Sequence, residues 1–143
     1  EIAGTFRTFN EKWRKEAIEI INSVSEETAS EYGVKINVKI AEGYPVLEND
    51  ISLTEKAINL SIELLGRENV EIFTEQRMSS DDFSFYSALA PSLYYRCGIK
   101  KEGAEMRKLH TADFDIDENC LETGTSNLCW LVFNLLSDDP SGL

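Results

Sequence analysis

A single histidine, His110, stands in the segment Leu109-His110-Thr111-Ala112-Asp113-Phe114-Asp115. Imidazole is the commonest side-chain ligand of zinc, and neighbouring carboxylates can orient its second nitrogen. A catalytic zinc takes about three protein ligands, and neither HExxH nor any other compact ligand set is present. On residue type alone, His110 reads as an ordinary surface side chain.

Asp81 and Asp82 lie where the run MSSDDF enters a short helix. Acids in a first helical turn favour the positive end of the helix dipole, and that is their plainest reading. The other is support for a metal ligand from behind. Arg7 falls inside a predicted strand, on the face shared with Thr5 and Phe9. Guanidinium binds carboxylate with two parallel hydrogen bonds, so Arg7 suits an acidic substrate group, or else a cross-strand salt bridge. Cys97, Cys120 and Cys129 are odd in number and fall in no CxxC spacing. They read as reduced, partly buried thiols of an intracellular protein. A catalytic cysteine would have only His110 to activate it.

These residues sit in a chain of 143 residues with 26 acids against 14 bases, a net charge of −12. Such a field repels phosphate backbones and anionic membranes, and no basic stripe offsets it, so nucleic acid is excluded as a partner. No apolar run approaches the roughly 20 residues that span a bilayer. No leader pattern is legible, and the abrupt start at Glu1 leaves a removed leader or a missing N-terminal part open. A hydrophobic share of 42% and a charged share of 28% are those of a globular protein. A compact chain of this length would bury roughly 70% of its extended surface.

The elements that must position the residues follow from periodicity. EIAGTFRTF alternates and is rich in β-branched and aromatic residues, which predicts a strand over 1–9. Asn10 can cap a helix through Trp13, Ala17, Ile21 and Val24, stopped by Gly33. Val34, Ile36, Val38 and Ile40 alternate with Lys35, Asn37 and Lys39, a strand with one buried face. The pattern breaks at Gly43-Tyr44-Pro45. Ser52 and Glu55 suggest a capping box for a helix through Leu53, Ala57, Leu60 and Leu64, stopped by Gly66. A short strand around 70–73, a short helix ended by Pro91 and a strand over 92–99 follow. A long loop, 100–117, carries His110. Asp117 can cap a last helix bearing Leu121, Leu128, Leu131 and Leu135, and the SDDPSGL tail is expected to fray. Two strands before the break are too few for a sheet of their own.

Four motifs agree in order: GTFRTF, GYPVLEND, MSSDDFSFY and LHTADFDIDE. Together they resemble the metal-dependent N-acyl-amino-acid amidohydrolases, the group of hippurate hydrolases, aminoacylase-type deacetylases and auxin-conjugate hydrolases within the dinuclear zinc carboxypeptidase clan. The likeness covers about residues 1–136. It implies an α/β (α+β) fold of two domains, of which this chain is a C-terminal fragment. Residues 1–41 would be the C-terminal half of a ferredoxin-like βαββαβ lid and dimerisation domain. Residues 42–143 would be the C-terminal part of the catalytic α/β domain.

The same resemblance implies roles residue by residue. His110 matches the histidine that closes a two-metal site of zinc, manganese or cobalt. Arg7 matches the lid arginine that grips the substrate's free carboxylate. Asp81 stands where family members often carry glutamate, so it keeps the charge but loses reach, and takes a supporting role. The remaining ligands and the general base would precede Glu1, leaving no catalytic residue here and no tightly bound metal. The implied activity is hydrolysis of the amide bond of N-acyl amino acids or small peptides by a cytoplasmic homodimer. The competing reading is a non-enzymatic acidic α/β module that binds a small molecule or pairs with its own copy.

Overall fold

The structure is a computed structural model, and it describes residues 1–101, 103–105 and 107–137. Its chain divides into two compact units. Unit 1 comprises Glu1–Asn49 and Thr74–Ser92, and unit 2 comprises Asp50–Phe73 and Leu93–Leu143.

Unit 1 is built on α1, Glu11–Tyr32. The Asn10 side chain accepts the Trp13 amide at 2.9 Å, satisfying one of the donors a helix start leaves free. At the other end Gly33 turns left-handed, with φ 61°, and its amide and that of Val34 converge on the Ala29 carbonyl. That conformation costs glycine nothing and most other residues strain. Ala17 is the one residue of α1 that is buried, while Trp13, Ile20 and Val24 remain exposed. A short helix, α3, spans Ser84–Ser87, and its Ser84 is fully buried.

Unit 2 is built on α2, Ile51–Leu65, and α4, Asn119–Ser137, which pack together. Ala57 and Ser61 of α2 and Asn127 and Leu131 of α4 are buried. The Trp130 indole donates to the Leu60 carbonyl at 3.1 Å, a link 70 residues long in sequence. The start of α2 corrects the expected capping box. Asp50, not Ser52, caps it, accepting the Leu53 amide at 2.8 Å. Gly66 ends α2 with φ 86°, and a Cβ there would meet the Glu68 carboxylate at 2.8 Å. A 3-10 turn, Arg67–Asn69, follows. Asp117 holds the start of α4, its carboxylate accepting the Asn119 amide at 3.1 Å.

The expected strands are the main correction. None of the segments 1–9, 34–40, 70–73 and 92–99 forms a strand, and no strand occurs among the described residues. Alternation states which side chains would share a face, but a strand exists only through a ladder with a neighbour. The described residues supply no such neighbour, so the α/β character is not realised and the observed fold is helical. The tail over 138–143 lies outside the described residues, as do Glu102 and Met106.

Exposed area says the same in another way. The chain exposes 12246 Å², against about 7,500 Å² for a compact monomer of this size. Large apolar side chains on α1 and α4 carry part of that excess, among them Trp13, Leu128 and Phe133. No helix among the described residues is long and apolar enough to cross a membrane.

Candidate functional site

His110 sits at the tip of a turn in unit 2, exposed and with φ 63°. It is the one non-glycine residue with positive φ among those described. A residue with a Cβ enters that region only when its surroundings hold it there. Here the surroundings are hydrogen bonds on either side. The Thr111 hydroxyl donates to the Lys108 carbonyl at 2.7 Å, and the Phe114 amide donates to the Thr111 carbonyl at 3.2 Å. Arg107 reaches across with one guanidinium nitrogen, donating to the Asp113 carbonyl at 3.1 Å and the Asp115 carboxylate at 3.2 Å. The Asp117 amide closes the base of the loop on the Ile99 carbonyl at 2.9 Å.

The Thr111 side chain, and then a backbone amide, hold the Asp113 carboxyl below the usual carboxylate range, because both favour the ionised form. A recess of about 460 Å³ lies beside the loop, lined by Ile99, Lys101, Arg107, Asp115 and Asn119. His110 is not part of its lining. Among the described residues no group of three or more His, Cys, Asp or Glu side chains is placed to hold a metal ion. One imidazole does not fit a catalytic metal without ligands from elsewhere.

Arg7 and Asp81 belong to unit 1. The Arg7 guanidinium donates to the Met78 carbonyl at 2.8 Å and is exposed. No carboxylate lies within ion-pair distance of it among the described residues. Asp81 acts as a local cap. Its carboxylate accepts the Phe83 amide at 2.9 Å, and its carbonyl accepts the Ser84 hydroxyl at 2.7 Å. The Arg7 contact therefore lands three residues before Asp81, on the MSSDDF run, whereas His110 belongs to the other unit.

Sequence reasoning missed a polar knot in unit 1. Glu11 accepts the Val46 amide at 2.8 Å and pairs with Arg14 at 2.7 Å. Arg14 in turn donates to the Tyr44 carbonyl at 3.4 Å. The Tyr44 ring meets Phe85 edge-on, centroids 5.8 Å apart. The GYPV segment is thereby tied to the first turn of α1 and to α3. The available signal was the i,i+3 acid–base spacing of Glu11 and Arg14.

Comparison with known proteins gives this site its context. The chain is 31% identical over 130 residues to IAA-amino acid hydrolase ILR1-like 4 of Arabidopsis thaliana, covering 87% of this chain and 29% of the relative. It is 27% identical over 133 residues to a probable hydrolase of Synechocystis sp., covering 92% of this chain and 34% of that protein. It is 27% identical over 124 residues to the N-acetyldiaminopimelate deacetylase of Lactobacillus acidophilus, covering 86% and 31% respectively. No family model and no solved structure matches the chain. Two of these relatives are hydrolases by name, one of them of IAA-amino acid, and the third is named as a deacetylase of N-acetyldiaminopimelate. The chain belongs to the amidohydrolase family that holds them. It spans about a third of the length of the curated relatives it matches.

Proposed function

We propose that residues 1–143 are part of a metal-dependent amidohydrolase that cleaves the amide bond of N-acyl amino acids or small peptides. The supporting observation is the similarity to a probable hydrolase, an IAA-amino acid hydrolase and an N-acetyldiaminopimelate deacetylase along 86–92% of the chain. In this reading residues 1–41 are the C-terminal half of a lid that also pairs two subunits. Residues 42–143 are the C-terminal part of the catalytic domain. The unpaired segments 1–9 and 34–40 then take their strand partners from lid residues outside this chain. The enzyme acts in the cytoplasm.

His110 is the ligand this chain contributes. A neutral imidazole offers one lone pair, and its exposed position in the turn leaves it open to a metal site completed elsewhere. In this reading the other ligands and the general base lie outside residues 1–143. Arg7 holds the free carboxylate of the substrate. Its guanidinium makes one backbone hydrogen bond, to Met78, and has donors left over for a planar anion. Asp81 shapes the turn that receives Arg7.

The test is an assay of the longest natural polypeptide containing residues 1–143, on N-acetyl amino acids and hippurate. Turnover lost on chelation and restored by added metal is expected. His110→Ala in that polypeptide should lower metal occupancy and activity by orders of magnitude while the fold persists. The isolated 143-residue chain should give no turnover. Chelator-sensitive turnover by the isolated chain would overturn the partial-enzyme reading. A longer polypeptide without metal and without amidase activity would leave a binding module in its place.

A further inference from the structure

Two of the three cysteines are brought together in unit 2 by a contact the proposed function does not use. The Cys97 thiol points at the carbonyl of Cys120, the second residue of α4, at 3.7 Å. One helical turn further on, Gly124 leaves room for it. A Cβ at Gly124 would stand 3.4 Å from the Cys97 sulfur. The sulfur therefore lies flat on the first turn of α4, in a notch made by a glycine, beside the residue that carries the second thiol. Cys97 is exposed, Cys120 half-buried, and neither is in a disulfide.

We infer that Cys97 and Cys120 form a reversible disulfide that fastens the base of the His110 loop under oxidising conditions. The loop over 100–117 runs between these two residues, and one backbone hydrogen bond, Asp117 to Ile99, already draws its ends together. The bond would thus form across a gap the fold has nearly closed, which favours cross-linking over a long search. Exposed disulfides are the reducible kind, as a switch requires.

The chemistry needs only a low-molecular-weight disulfide such as glutathione disulfide. The Cys97 thiolate attacks one of its sulfurs, forming a mixed disulfide and expelling one small thiolate. The Cys120 thiolate then attacks the Cys97 sulfur, forming the protein disulfide and expelling the second. Two protein thiols are oxidised, one small disulfide is reduced to two thiols, and the two protein protons pass to the departing thiolates. Burial, then Cys97 and Asp117, hold the Cys120 thiol above its ordinary value. The exposed Cys97 is accordingly the first nucleophile and Cys120 the resolving one.

The experiment equilibrates the chain in glutathione buffers, blocks remaining thiols and digests it without reductant. Trypsin with a glutamate-specific protease separates Cys120 from Cys129 at Glu122. The expected product joins the peptide bearing Cys97 to that bearing Cys120, and titratable thiols fall from the three in the sequence to one. The yield should not change with protein concentration, and dithiothreitol should reverse it. Cys129→Ser should keep the cross-link. Cys97→Ser, and separately Cys97→Ala, should leave only a glutathione adduct. Amide exchange between Ile99 and Asp117 should slow in the oxidised form. A cross-link to Cys129, one that grows with protein concentration, or persistent adducts on both Cys97 and Cys120 would overturn the inference. Unchanged exchange would overturn the restraint on the loop.

Discussion

Helices α1 and α4 are of similar length and both carry an apolar stripe, yet they fare differently. Helix α4 meets α2, buries Leu131 and Asn127, and anchors the Trp130 indole on the Leu60 carbonyl. Helix α1, with 22 residues, buries only Ala17. Its ends are well made, with a side-chain cap at Asn10 and a left-handed glycine at Gly33. The difference teaches that caps and propensity place a helix, whereas burial depends on what is present to cover it. Unit 2 holds both members of a packed pair within the chain. Unit 1 holds a helix patterned for a sheet that the described residues do not form.

The largest effect expected from breaking this contrast is at Arg7. If unit 1 presents surfaces for substrate, Arg7→Ala should cost little stability, since its contact is one exposed hydrogen bond to Met78. Removing one partner of a desolvated arginine–carboxylate pair costs about 2–5 kcal/mol, or about 30- to several-thousand-fold in affinity. In the longest natural polypeptide, kcat/KM on an N-acyl amino acid should fall within that range. On the carboxamide analogue it should hardly change, and Tm should stay nearly constant. Equal losses on both substrates, or a collapse of Tm, would make Arg7 a structural residue.

A middle-sized effect separates the helices directly. Leu131→Ala empties a buried site on α4, and the cost should fall near the low end of the range for such truncations, about 2 kcal/mol. Ile21→Ala on α1 removes a side chain that is 39% exposed, so it should shift stability by no more than about 0.5 kcal/mol. Denaturant midpoints of the two variants check this. Repeating the pair in the longest natural polypeptide sharpens it. A covered α1 should raise the cost of Ile21→Ala toward that of Leu131→Ala. An unchanged small cost would leave α1 exposed there too.

What the sequence showed follows the same division. Local chemistry was legible: Asn10, Gly33, Gly66 and Asp117 all do what their residue types suggest. The capping box at Ser52 failed because α2 begins at Ile51, which puts Ser52 inside the helix and Asp50 at its cap. Non-local chemistry was not legible. Strand alternation named the faces but not the ladder neighbours that would turn them into strands, and the Glu11 contact with Val46 spans 35 residues. At the site, the loop around His110 was visible from its flanking polar residues. Its left-handed backbone was not, because Thr111 and Phe114 impose it by hydrogen bonds no spacing rule encodes.

The smallest expected effect concerns the two side-chain caps. Asn10 and Asp50 each accept the amide three residues on, at 2.9 and 2.8 Å. Replacing such a cap by alanine typically costs about 1 kcal/mol. The cost should be felt differently in the two units. Helix α2 is packed on α4, so its first turn unfolds only with that pair, and Asp50→Ala should lower the melting temperature of unit 2. Helix α1 has almost no buried contact to couple its start to anything else. Asn10→Ala should therefore let the first turn fray alone, releasing the Glu11 carboxylate from the Val46 amide as it does so. Amide exchange at Trp13, Arg14 and Val46 should rise severalfold, with the melting temperature of unit 2 unmoved. A fall in Tm for Asn10→Ala matching that for Asp50→Ala would mean that α1 is held as firmly as α2. The contrast between the units would then be one of exposure alone.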